Sequence, residues 1–230
     1  MSHLELRSAA VRPSADGPVV LHPTTLELTE QRIALIGANG SGKSTLARLL
    51  NGLVPASSGQ VLVDGLDVAH DGARVRRRVG FVFSDPAAQL VMPTAAEDVA
   101  LSLRRTHRDR AARRAAALAT LDSFGLVGRG DQSVHTLSGG QRQLLALAGV
   151  LATSPSVLVA DEPTTLLDLR NSLLVGDLLL SLDQQLVLVT HDLDLARRCD
   201  RVLVIDAGRV VHDGPAAETV EQYRALARSG

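Results

Sequence analysis

The chain has 230 residues, a formal net charge of −1 and 45% hydrophobic residues. That length fits one large α/β domain or two small ones, and the near-neutral balance gives no global case for a nucleic-acid partner or an acidic membrane surface. The single cysteine, Cys199, has no partner for an internal disulfide, and no apolar run approaches the ~20 residues of a membrane span. Met1–Ala10 lacks the charged and apolar regions of a signal peptide, so a cytosolic location is expected, with any membrane service running through a partner. Aromatic residues make up only 2%, so the core must be aliphatic, with Cys199 read as a buried structural thiol.

Leu4–Val11, Val19–Leu21 and Thr25–Leu28 read as short strands, interrupted by the turn-forming Pro13–Pro18. The apolar run Ile33–Ile36 leads into Gly37-Ala38-Asn39-Gly40-Ser41-Gly42-Lys43-Ser44 and a predicted helix over Thr45–Leu53. This is the G-x-x-x-x-G-K-[ST] phosphate loop in its strand–loop–helix setting. Its glycines let the backbone curl so that successive N–H groups face a triphosphate. Lys43 can reach the β- and γ-phosphates, the Ser44 hydroxyl can take a position on Mg²⁺, and the positive end of the helix adds to the attraction. ATP with Mg²⁺ is the expected ligand.

Gly59–Asp64 and Val79–Phe83 read as further strands, and from Thr94 to Leu151 the pattern turns helical. Thr94-Ala95-Ala96-Glu97 fits a capping box, Arg108–Phe124 is an Ala/Arg-rich helix, and Leu144, Leu147, Ala148 and Leu151 give a third helix an apolar face. Arg104–Arg114 is the one basic cluster. Without interleaved aromatics it reads as a solvated helix face, so no nucleic-acid partner is expected. Strands return at Val157–Ala160, Leu186–Thr190 and Arg201–Ile205, with a helix over Leu169–Leu182. Asp206-Ala207-Gly208 is a hairpin turn into Arg209–His212, and Glu218–Arg228 is a closing helix. Strands alternating with helices predict an α/β fold with a mainly parallel sheet, in a single domain over 1–230 with a helical subdomain inserted at about 84–151.

Val157–Ala160 ends in Asp161-Glu162. At the carboxyl end of a parallel strand two acids project into the crevice where such folds bind ligands. Asp161 suits a Mg²⁺ ligand and Glu162 suits the role of orienting or deprotonating an attacking water. Leu137-Ser138-Gly139-Gly140-Gln141, directly before the third helix, offers N–H groups and a hydroxyl to an anion.

These motifs in this order resemble the nucleotide-binding domain of the ATP-binding cassette (ABC) family, across the whole chain. The resemblance implies the P-loop NTPase core, an antiparallel β subdomain, and a head-to-tail pair of cassettes, as a homodimer or with a second ABC ATPase. Each ATP would lie between one phosphate loop, Gly37 to Ser44 with Thr45 behind it, and the Leu137–Gln141 signature of the other cassette. Asp168 matches the loop that crosses the dimer interface, and His191 in Thr190-His191-Asp192 matches the switch histidine on the γ-phosphate. Two departures stand out. No aromatic residue precedes Phe81, so the usual adenine stack near Arg12-Pro13 is missing. Ser84 stands where the family has a glutamine reaching toward Mg²⁺ and the membrane partner, and it is short enough to need a bridging water.

Asp85-Pro86-x-x-Gln89, with Ser84 in the same coupling loop, is similar to the ATPases of energy-coupling factor (ECF) vitamin and metal importers, as is Asn51-Gly52-Leu53. Leu28–Ile33 and Val91-Met92-Pro93-Thr94 resemble the biotin type. The expected partners are a transmembrane coupling subunit and a membrane substrate-binding subunit, at the cytoplasmic face of the membrane. An ABC exporter ATPase, or an ABC ATPase outside transport, is the alternative.

Overall fold

The structure, a computed structural model, describes residues 2–14 and 17–229, with side chains to residue 226. The turn expected over Pro13–Pro18 includes residues 15 and 16 and so lies partly outside the described residues. Strands β1 (Leu4–Val11), β2 (Leu21–Leu28) and β3 (Arg32–Ile36) precede helix α1 (Lys43–Leu49). Next come β4 (Ser58–Val63), β5 (Leu66–Asp67), α2 (Gly72–Arg78) and β6 (Val79–Val82). Three helices follow, α3 (Ala95–Ser102), α4 (Arg110–Ser123) and α5 (Gly139–Leu151). Then come β7 (Val157–Asp161), α6 (Leu169–Ser181), β8 (Gln185–Val189), α7 (Leu193–Ala196), β9 (Arg201–Asp206), β10 (Arg209–Pro215) and α8 (Ala216–Ser229).

The continuous apolar runs become the centre of a six-stranded sheet in the order β10-β9-β3-β8-β7-β6, parallel except for β10 at one edge. Every residue of β3, β7 and β8 is buried, as expected for strands covered on both faces. Their side chains alternate between two cores. Ile33, Leu35, Val157, Val159, Val187 and Val189 join α1 and the antiparallel sheet β2-β1-β4-β5. Ala34, Ile36, Leu158, Ala160, Leu186 and Leu188 pack under α5, α6, α7 and α8. A third core lies among α3, α4 and α5. Arg32 donates to the carbonyls of Leu180, Leu182 and Gln184, gathering the end of α6 onto the start of β3.

Several boundaries differ from the sequence expectation for identifiable reasons. Val19–Leu21 and Thr25–Leu28 are not two strands; the second half of the hairpin is the single strand β2, which runs through Pro23. It lies at a sheet edge, where a residue without an N–H is tolerated. Helix α1 starts at Lys43 rather than Thr45 and stops at Leu49 rather than Leu53, with Gly52 at φ 72° just beyond. At Thr94 only half of the capping box forms: its hydroxyl oxygen accepts from the Glu97 N–H, while the Glu97 carboxylate takes the Thr94 hydroxyl instead of a backbone N–H. Arg108 is outside α4, which Asp109 caps by accepting from the Ala112 N–H. Helix α2 shows no apolar period, because Val75 is its only buried residue.

Gly80 in β6 is where α5 approaches the sheet. A Cβ there would lie 2.5 Å from Val150 Cγ1 and 3.2 Å from Pro155 Cγ. Gly80→Ala should therefore overpack this contact and cost about 1–3 kcal/mol, read as a lower urea midpoint with unchanged slope.

Candidate active site

The loop between β3 and α1 takes its shape from two glycines. Gly37 has φ 143° and a Cβ on it would meet the Ile205 carbonyl oxygen at 2.0 Å; Gly42 has φ 105° and its Cβ would meet the Val20 carbonyl oxygen at 2.9 Å. The outer side of the loop is braced by the β9–β10 turn, where Ala207 and Gly208 both have positive φ as a tight hairpin requires. Gly208 donates its N–H to the Ser41 carbonyl at 2.8 Å and accepts the His22 N–H at 2.8 Å. No side chain caps α1, so its first N–H groups are left to the loop.

Within this loop Lys43 is 5% exposed, and its ammonium donates to the carbonyls of Gly37 and Ala38, both at 2.8 Å. Burial pushes the Lys43 pKa down, opposed by the Glu162 and Asp161 carboxylates. The Ser41 hydroxyl oxygen is buried without a hydrogen-bond partner. Residues 39–45, Val20 and Glu162 line a cleft of about 240 Å³. An orphaned hydroxyl, a pinned lysine and an uncapped helix start around one cleft fit a polyphosphate.

At the end of β7 the Ser44 hydroxyl donates to Asp161 Oδ1 at 2.7 Å, and Arg48 Nη2 lies 3.0 Å from Asp161 Oδ2. A hydroxyl beside a carboxylate is hard-oxygen chemistry of the kind Mg²⁺ takes alongside a substrate's phosphates. The next residue, Glu162, has φ 53°, a left-handed backbone seldom adopted by a non-glycine residue and concentrated at functional sites. Its N–H donates to the Val189 carbonyl of β8 at 2.9 Å. Its Oε2 lies 2.7 Å from His191 Nδ1 and accepts the Thr165 hydroxyl at 2.9 Å. Thus Lys43, Ser44, Asp161, Glu162 and His191 come together beyond the carboxyl ends of the central strands β3, β7 and β8.

The remaining predicted residues are elsewhere. Leu137–Gln141 and Asp168 line no part of this cleft. Ser138 caps α5 in a full capping box, accepting from the Gln141 N–H while the Gln141 side chain accepts from the Ser138 N–H. Gly140 is required by close packing, since a Cβ there would lie 2.5 Å from the Asn171 side chain. That same Asn171 donates through its N–H and Nδ2 to Asp168, capping the start of α6 where its side chain packs against Gly140 of α5. These two hydrogen bonds hold the Asp168 carboxyl below its usual pKa. Ser84 is half-buried at the end of β6, and Gln89 folds back so that its Oε1 accepts the Phe83 N–H at 3.2 Å. Sequence reasoning missed Arg48, Thr165 and Asn171. None belongs to a motif, and Arg48 meets Asp161 across 113 positions of chain.

Residues 21–165 match the family model described as ABC transporter. The chain is 42% identical over 225 residues to the biotin transport ATP-binding protein BioM of Rhizobium etli, covering 98% of this chain and 99% of that protein. Among solved structures, cbiO1 of Clostridium perfringens, titled part of the ABC transporter complex cbiONQ, superposes with a TM-score of 0.83 at 30% identity. The match covers 98% of this chain and 93% of that one. The ATP-binding cassette MJ0796, in a dimeric post-hydrolysis state with ADP and Pi, gives 0.80 at 28% identity over 93% of this chain and 98% of its own.

Cys199 stands apart from the site, buried in the core under α7 and α8. Burial, with a smaller contribution from Asp200, pushes its thiol up to about 12. The thiol therefore stays protonated in the folded protein well above the pH at which an unfolded cysteine ionises. Iodoacetamide at pH 8 should leave native protein unmodified and label Cys199 only as urea unfolds the chain, as mass spectrometry would read.

Proposed function

The chain belongs to the ABC transporter ATP-binding family, and from that premise we propose that it hydrolyses Mg·ATP to drive a membrane importer of the energy-coupling factor type, with biotin as the solute. The observation that carries the catalytic part is Glu162, which lines the phosphate-loop cleft while hydrogen-bonded to His191 at 2.7 Å. In this reading Lys43 leaves the Gly37 and Ala38 carbonyls for the β- and γ-phosphates, and loop N–H groups hold the remaining oxygens. Ser44 and Asp161 would hold Mg²⁺, which would supply charge neutralisation for the phosphates. Glu162 orients and deprotonates the attacking water, with His191 and Thr165 fixing its carboxylate. His191 is 57% exposed at its side chain, open to a γ-phosphate.

The second half of the site is proposed to come from another cassette, identical or not. Ser138, Gly139 and Gly140 would present the start of α5 to that cassette's ATP, with Asp168 at the seam. The dimeric state of MJ0796 with ADP and Pi supports this arrangement. The solute assignment rests on BioM's name and its near full-length match, and the importer type on the similarity to cbiO1.

Membrane attachment is assigned to a partner, since no helix among the described residues is long and apolar enough to cross a bilayer. A groove of about 300 Å³ between the sheet and the three-helix insertion supports a docking helix. It is lined by Asn51, Phe81, Gln89, Val91, Gly149 and Val150, among others, with Val91 68% exposed. Ser84 lies just before the coupling turn, where a bridging water would take the place of a longer side chain.

The test of the catalytic reading is Glu162→Gln. It should keep Mg·ATP binding, lose about 10²–10⁴-fold in turnover, and accumulate as an ATP-bound dimer in sedimentation. Lys43→Ala should instead weaken nucleotide binding itself. Turnover equal to wild type in Glu162→Gln would remove Glu162 from this role. For the groove, Val91→Glu should abolish membrane association with the coexpressed coupling subunit while leaving basal hydrolysis intact; unchanged membrane fractionation would move the docking site elsewhere.

A further inference from the structure

Asp161 is 2% exposed, and each of its carboxylate oxygens has one side-chain partner. Oδ1 takes the Ser44 hydroxyl at 2.7 Å and Oδ2 takes Arg48 Nη2 at 3.0 Å. Among the described residues Arg48 makes the one ion pair to this carboxylate. Both partners come from α1, four positions apart and so on the same face of the helix. One helix thus grips both ends of a carboxylate at the tip of a neighbouring strand. The guanidinium keeps this position although its Nε is buried without an acceptor, a cost that a freely chosen surface rotamer would avoid.

A carboxylate anchored at one oxygen can still turn about its Cβ–Cγ bond, which is a broad, two-fold torsion. Anchoring the second oxygen fixes its plane. We propose that Arg48 is a positioning residue for Mg²⁺: by holding Asp161 Oδ2 it keeps Oδ1 on the Ser44 proton, so that the Ser44 lone pairs stay turned toward the metal. The inference rests on the Mg·ATP reading above and adds a residue which that reading does not use.

Two physical effects of Arg48 on the metal have opposite signs. As a cation near the site it repels Mg²⁺, so removing it would tighten metal binding. As an outer-sphere partner that orients a ligand, its removal should weaken metal affinity, typically by about 10–100-fold. The sign of the measured change separates them. A residue that merely held the fold would weaken nucleotide binding with and without metal alike.

The experiment follows the fluorescence of mant-AMP-PNP on the full chain, for wild type, R48A and R48K, first in EDTA and then with increasing Mg²⁺. Positioning predicts similar nucleotide affinity in EDTA for all three proteins. The half-saturating Mg²⁺ should rise by about 10–100-fold in R48A, and R48K, which restores a cation donor, should recover part of the loss. An unchanged or lower half-saturating Mg²⁺ in R48A overturns the proposal, as does a loss of the same size in EDTA. If R48A does not fold, R48K against R48Q carries the comparison, since Gln keeps a donor of different reach without the charge; equal Mg²⁺ dependence of those two and wild type overturns it. Failure of the underlying reading is visible in wild type alone, as nucleotide binding that Mg²⁺ does not tighten.

Discussion

The site depends on the register of three parallel strands. Val189 of β8 is opposite Asp161 of β7 on one side and Leu35 of β3 on the other. The chain leaves all three strands at that level, so the phosphate loop, Glu162 and His191 emerge together at their carboxyl ends. A slip of one residue would reverse which core each side chain enters. Complete burial of these strands on both faces makes such a slip costly, because it would exchange residues of different size between the cores, such as Ala34 for Leu35 and Leu188 for Val189. Packing chemistry in the sheet interior therefore fixes the geometry of charged groups at its rim.

Much of this was legible in the sequence. The phosphate loop, the acid pair after Val157–Ala160 and the histidine after Val187–Val189 are local patterns, each following an apolar run that can only be a buried strand. Part of what escaped notice depends on distant contacts. Arg48 looks like any helix-surface cation until the fold brings Asp161 to it, and Asn171 acquires meaning only through the close approach of Gly140. The left-handed backbone at Glu162 has no side-chain signal, since glutamate does not favour that conformation. From sequence, strand β2 reads as two pieces with Pro23 between them, whereas an edge strand accommodates a proline without interruption.

The two halves of the expected machinery are built differently. Around the phosphate loop, polar groups are buried and held at short range by the sheet edge. The Ser138–Gln141 segment is a helix start, exposed at Ser138, whose capping groups are satisfied locally by a capping box. A surface of that second kind is pre-shaped without being enclosed, which suits a face that must meet and leave another molecule.

The brace around the phosphate loop bears on how the chain acquires its fold. Gly208 hydrogen-bonds Ser41 and His22, while Gly37 is moulded against Ile205. The loop is thus shaped by segments from both ends of the sequence. Such non-local closure must await the formation of much of the molecule, since the entropy of joining distant segments is lost before their contacts are gained. On a ribosome, the loop near the start of the chain would emerge long before the strand that shapes it. Competence to hold a nucleotide therefore arrives late in synthesis, together with the β9–β10 hairpin.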